Sequence, residues 1–136
     1  MILKSVQQRL GEGIRLVLKK ALVVDDNDGI RRMLTEVLAN ECYSVDTASN
    51  GLQALERIQE CIPSVVLLDS KMPGIGGIEV LTEINNLYPD LNVIFISAYT
   101  DQKDVKVALE SGLIKHCITK PFSLTDLIEL LRSLNI

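Results

Sequence analysis

The sequence predicts a doubly wound α/β fold, a parallel sheet covered by helices on both faces. Short aliphatic runs alternate with helix-period patterns five times along the chain. Three of those runs, residues 21–24, 65–68 and 93–96, have no polar face. Strands apolar on both sides sit inside parallel sheets whose two faces are both covered. With 136 residues, the chain is long enough for one domain burying roughly 70% of its unfolded surface.

The elements follow in order. Residues 21–24 form the first strand, ending in two acids. Ile30, Met33, Leu34, Val37 and Leu38 recur at helical spacing, with Asp26 or Asn27 as candidate cap. Residues 43–48 alternate as a second strand, and Asn50-Gly51 signals a turn and a cap. Leu52, Ala54, Leu55 and Ile58 mark the second helix, stopped by Pro63, and residues 65–68 the third strand. Residues 72–77 are rich in Gly and Pro and read as a loop shaped by Met72 and Pro73, with Gly77 supplying a helix start or tight turn. Ile78, Val80, Leu81 and Ile84 form the third helix, ended by Pro89, before the fourth strand at 93–96. Val105, Ala108 and Leu109 mark a fourth helix, which Gly112 ends. Residues 114–118 make a weaker strand, interrupted by Lys115 and His116. Ser123 with Asp126 resembles a capping box and opens a last helix carrying Leu127, Ile128, Leu130, Leu131 and Leu134. The expected domain is residues 20–136.

Ahead of it, residues 1–19 read as a basic extension. Leu3, Val6, Leu10, Ile14 and Val17 follow an amphipathic helix pattern weakened by Gly11 and Gly13. Residues 1–20 hold five basic groups against Glu12, whereas the rest of the chain holds nine basic and 17 acidic groups. The formal charge of -4 and the absence of Trp argue against direct nucleic-acid binding. No apolar run is long enough to insert in a membrane. Cys42, Cys61 and Cys117 have no metal-ligand spacing and, with no secretory leader, read as free thiols of a cytoplasmic protein.

In an open parallel sheet, ligands bind beyond the carboxyl ends of the strands. The residues there are Asp25 and Asp26, then Asp69, then Ser97, and Lys120 a little later. Three converging carboxylates suit a hard divalent cation with oxygen ligands, Mg²⁺ above all. A metal, a lysine and a hydroxyl around one carboxylate are the parts phosphoryl transfer needs, and Asp69 is the natural nucleophile. Each residue alone has a structural explanation; four strand ends in agreement do not.

The stretches LVVDDNDGIRRML, VVLLDSKMPGIGGIEVL, VIFISAYTD and ITKPF make the chain resemble the receiver domain of two-component response regulators over about residues 20–135. The resemblance implies a flavodoxin-like (βα)5 fold with five parallel strands, as in chemotaxis-type receivers. It implies that Asp69 accepts a phosphoryl group from a sensor histidine kinase. Asp25 and Asp26 then match the acids that bind Mg²⁺ (or Mn²⁺), and the backbone carbonyl of Lys71 matches a further metal ligand. Ser97 matches the switch hydroxyl, and Lys120 the lysine that pairs with the phosphoryl group. Within the family, DGIRRMLTEVL, NGLQAL, LLDSKMPG, GGIEVL and SAYTD are similar to the stand-alone sporulation phosphorelay regulators, which pass the group on to a histidine phosphotransferase.

Two departures from the family pattern carry expectations. Many receivers place Tyr or Phe three residues before the lysine; here Cys117 or a displaced His116 takes that switch position, and the interval from Gly112 to Lys120 is one residue longer than usual. This suits a phosphoryl carrier more than a switch that remodels a distant face. Lys71 and Tyr99 border the path of hydrolytic water, so a slowly hydrolysing aspartyl phosphate is expected.

The leading expectation is a monomeric, single-domain phosphotransfer intermediate rather than an enzyme in the ordinary sense. Its output passes through protein contacts, because the chain ends after the fifth helix. Docking is expected at the first helix and the loops around the site, where Gly29, Ile30, Met33 and Leu34 follow the acids; Ile30 or Met33 is either exposed as an apolar patch or packed on the sheet. The alternatives are a terminal regulator that binds a target when phosphorylated, a receiver excised from a larger protein, and a passive dimerisation module. A metal-dependent phosphatase is more distant, since such enzymes commonly carry a second Asp where Lys71 stands. A flavin carrier is disfavoured by Asp25 and Asp26, and a kinase by the lack of a phosphate-binding glycine loop.

Overall fold

The computed structural model describes residues 18–98, 102–134 and 136. Five strands alternate with five helices: β1 (Lys19–Val24), α1 (Asp28–Asn40), β2 (Tyr43–Ala48), α2 (Gly51–Glu60), β3 (Val65–Asp69), α3 (Gly77–Leu87), β4 (Asn92–Ser97), α4 (Gln102–Glu110), β5 (His116–Thr119) and α5 (Leu124–Ser133). The strands form one sheet in the order β2-β1-β3-β4-β5, and every neighbouring pair is parallel. This is the expected flavodoxin-like, doubly wound architecture.

The apolar runs of β1, β3 and β4 divide by alternation between two cores. Leu22, Val24, Val66, Leu68, Val93 and Phe95 face α2, α3 and α4, where they meet Ala54, Ile58, Val80, Ile84, Val105 and Ala108. Ala21, Val23, Val65, Leu67, Ile94 and Ile96 face α1 and α5, meeting Leu34, Leu38, Leu127 and Leu131. The edge strands are more polar, as a strand covered less completely must be.

Local signals place the helix starts. Asn27, not Asp26, caps α1 by accepting from the Ile30 amide, and Asn50 caps α2 by accepting from Gln53. Ser123 caps α5 through the amide of Asp126. Gly77 starts α3 where the chain turns back under the end of β3; a Cβ there would lie 2.6 Å from the Asp69 carbonyl oxygen. Gly112 follows α4 at φ +81°, a left-handed conformation that favours glycine.

Two readings of the helix faces need correction. Leu52 is 60% exposed and Leu109 46% exposed, each one position off the stripe that packs on the sheet. Met33 is exposed, as a docking position on α1 requires, whereas Leu34 beside it belongs to the core. The last strand begins at His116, two residues later than its apolar run, because the Ile114 amide bonds back to Ala108 at the end of α4. The amphipathic pattern from Leu3 to Val17 and the position of Tyr99 lie outside the described residues.

Leu67 is fully buried in the central strand. Leu67→Ala is expected to cost about 2–5 kcal/mol, whereas Leu52→Ala is expected to change stability by no more than about 0.5 kcal/mol. Urea unfolding midpoints of the two variants check the contrast; equal losses would contradict the assigned faces.

Candidate functional site

The strand register brings the polar strand ends together. Val24 pairs with Leu68, so Asp25 and Asp69 leave adjacent strands side by side. This lies where chain order reverses between β1 and β3, the usual crevice for a ligand in such sheets. Ser97 ends β4 opposite Thr119 of β5, and the Lys120 amide bonds the Ser97 carbonyl at 2.8 Å. Lys120 is thereby carried to the same edge.

Asp25, Asp69 and Ser97 are buried, at 1%, 4% and 2% exposure, while Asp26 is exposed. Carboxylate oxygens of Asp25, Asp26 and Asp69 all lie within 4.8 Å of one another. The Lys120 ammonium donates to Asp69 Oδ1 at 2.9 Å and sits 3.5 Å from Asp25 Oδ2. Asp25 is fixed from both sides. Its Oδ1 accepts from the Asn27 amide at 2.9 Å, and its carbonyl accepts from Arg31 Nη1 at 2.6 Å. Arg31 is itself steered by an ion pair with Asp28.

Burial pushes the Asp69 carboxyl above its ordinary range, and the Asp25 and Asp26 charges add to this, against the opposing hydrogen bond from Lys120. Burial alone would lower the Lys120 ammonium, but the hydrogen bond and charge of Asp69, with Asp25, outweigh it and raise its pKa.

The donor set fits a hard divalent cation. Among the described residues Asp25 Oδ2 is buried with no hydrogen-bond partner, the Lys120 ammonium lying 3.5 Å away, an expensive state for a carboxylate oxygen. Three clustered oxygens, with no sulfur or imidazole among them, suit Mg²⁺ or Mn²⁺ rather than a softer ion. A cation there would satisfy Asp25 Oδ2 and relieve the mutual repulsion of the acids.

The remaining candidates fall around this centre. Ser97 Oγ donates to Thr119 Oγ1 at 3.3 Å, and Cys117 Sγ lies 3.7 Å from Ser97 Oγ. His116 is half-buried at the start of β5 and makes no hydrogen bond to Ser97 among the described residues. Lys71 is exposed in the loop after β3, whose Ser70 Oγ accepts from the Ala98 amide at 3.2 Å. Arg31 and Thr119 were not singled out from the sequence. Thr119 was detectable as the residue before Lys120, and Arg31 as the first basic residue after the α1 cap.

The family model of the response regulator receiver domain matches residues 21–132. The chain is 38% identical over 109 residues to Sporulation initiation phosphotransferase F of Bacillus subtilis, covering 80% of this chain and 87% of that protein. It is 34% identical over 118 residues to Chemotaxis protein CheY of Thermotoga maritima, covering 86% and 98%. A solved CheY-like receiver domain protein of Methanospirillum hungatei superposes with a TM-score of 0.79 at 28% identity, covering 85% of this chain and 92% of the other. Other curated relatives are longer: the chain spans 24% of one and 50% of another. The chain belongs to the response regulator receiver domain family. No helix among the described residues is long and apolar enough to cross a membrane.

Because the folded state raises the Asp69 pKa, it holds that proton more tightly than the unfolded chain does. The advantage is present below the ordinary Asp value of about 3.9 and is lost as pH rises through the folded value. Without a divalent ion, Asp69→Asn is therefore expected to be more stable than wild type at neutral pH, with the gap shrinking as pH falls into the carboxylate range. Urea unfolding in EDTA across that range checks it; a variant less stable at neutral pH would contradict the assignment.

Proposed function

We propose that this receiver accepts a phosphoryl group on Asp69 from the phosphohistidine of a sensor kinase and relays it to a histidine phosphotransferase. The observation that carries the reading is the Lys120–Asp69 pair at 2.9 Å within a cluster of three carboxylates. In this reading Asp25, Asp26, Asp69 and the backbone carbonyl of Lys71 hold Mg²⁺ or Mn²⁺. When bound, that cation neutralises phosphoryl oxygens and lets an anionic donor approach an acidic site.

A carboxylate oxygen of Asp69 forms a bond to phosphorus while the phosphorus–nitrogen bond of the donor breaks, leaving its electron pair on the imidazole. Lys120 shifts from the free carboxylate to a phosphoryl oxygen, and the Ser97 hydroxyl donates to another. Onward transfer reverses the step: a histidine nitrogen of the acceptor bonds phosphorus, and Asp69 is released as a carboxylate. The contact of Cys117 Sγ with Ser97 Oγ at 3.7 Å favours Cys117 over His116 for the switch position. A small side chain there supports a carrier, as does the similarity to Sporulation initiation phosphotransferase F. Lys71, exposed in the loop after β3, obstructs the approach of water and keeps the aspartyl phosphate long-lived. Such a relay operates in the cytoplasm and requires only one copy of the chain.

A second reading is a terminal regulator that binds a target protein when phosphorylated. The exposed Val107 and Leu109 on α4 favour it, since exposed apolar side chains on one helix suit a partner surface.

Mixing a labelled, autophosphorylated histidine kinase with the protein and Mg²⁺ is expected to move label onto Asp69. EDTA and Asp69→Ala should each prevent this. Label that then leaves for an added histidine phosphotransferase supports the relay, and label that stays supports the terminal regulator. No labelling of wild type by the kinase or by a small acyl phosphate would refute both. Lys71→Asn is expected to speed decay of the aspartyl phosphate, followed as loss of label from the isolated protein; an unchanged rate would rule out obstruction by Lys71.

A further inference from the structure

Ser97 is buried, and among the described residues both hydrogen-bond contacts of its hydroxyl come from β5. It donates to Thr119 Oγ1 at 3.3 Å and accepts from Cys117 Sγ at 3.7 Å. The arrangement follows from strand geometry. Residues 117 and 119 are two apart and share a face of β5, and the register sets Thr119 opposite Ser97 and Cys117 opposite Phe95. The two side chains therefore bracket the serine from one side.

A serine hydroxyl has a single proton to give. While that proton is given to Thr119, it is not available to an oxygen on Asp69. We infer that Thr119, with Cys117 as the second contact, is a positioning residue that holds the Ser97 hydroxyl toward β5 in the unphosphorylated chain. Formation of the aspartyl phosphate then requires the Ser97–Thr119 bond to break. The hold is readily released, because Thr119 is exposed at the end of an edge strand and its hydroxyl can bond water instead. The inference rests on the phosphoacceptor role proposed for Asp69.

Thr119→Val tests it. The substitution keeps the β-branched shape at an exposed strand position and removes only the hydroxyl. The reaction to follow is phosphorylation by a small acyl phosphate with Mg²⁺, sampled by rapid quench. A carboxylate oxygen of Asp69 bonds phosphorus, the bond from phosphorus to the acyl oxygen breaks, and the acyl carboxylate leaves with the electron pair. Thr119→Val is expected to raise the rate severalfold, up to about tenfold for one neutral hydrogen bond. Thr119→Ser, which keeps the hydroxyl, is expected to react as wild type. In a Ser97→Ala background, Thr119→Val should give no gain, since the proton it frees is gone.

An unchanged or slower Thr119→Val, or a gain that persists without the Ser97 hydroxyl, overturns the inference. Wild type that takes no label overturns the phosphoacceptor reading and the inference with it. Wild type that labels while Thr119→Val is unchanged overturns the inference alone.

Discussion

The constraint on which the structure depends is that the runs 21–24, 65–68 and 93–96 within β1, β3 and β4 are apolar on both faces. Such strands cannot lie at an edge or leave a face open to water, so they occupy the interior of a parallel sheet between two helical layers. Leu67 and Phe95, fully buried on opposite faces, show the consequence. Nothing polar falls within the buried runs 21–24, 65–68 and 93–96, and chemistry is confined to the residues that end them. Asp25, Asp69 and Ser97 are where each apolar run stops.

That placement has an electrostatic cost. Asp25 and Asp69 are almost as buried as the core they terminate, and each lies within reach of the other's charge and that of Asp26. One ammonium, Lys120, serves both buried carboxylates, yet Asp25 Oδ2 still lacks a hydrogen-bond partner. Burial and mutual repulsion raise the Asp69 pKa despite the lysine. An acidic site left in this condition favours an incoming cation, and an anionic phosphoryl group enters most easily once that cation is present. The instability of the free site and the phosphoryl chemistry proposed for it have one physical origin.

Much of this was legible in the sequence, because the informative signals are local or periodic. The unbroken runs at 65–68 and 93–96 identify interior strands, and the residues after them identify the site. What escaped depends on packing. Leu52 and Leu109 read as core because apolar character marks a helix face only to within a residue or so. The start of β5 at His116 is set by the Ile114 amide returning to α4, a long-range bond with no sequence signature. The choice of Asn27 over Asp26 as the α1 cap was open because both residues are good caps. Thr119 was passed over because its relation to Ser97 exists only in the register between β4 and β5.

The division of the site between interior and edge strands bears on how it works. Asp25 and Asp69 extend from β1 and β3, each paired on both sides, so their relative position is as rigid as the core. Lys120, Thr119 and Cys117 belong to the edge strand and its exit, where β5 has a neighbour on one side only and pairs through four residues. Groups that must keep a fixed distance, the metal-binding acids of the proposed site, stand on the rigid part. Groups that, in the proposed transfer, exchange partners when a phosphoryl oxygen arrives stand on the part least constrained by neighbours. Ser97 lies at the boundary: its backbone ends an interior strand and its hydroxyl is tied to the edge. A change at Asp69 can therefore reach β5 through one hydrogen bond without disturbing the apolar layers beneath it.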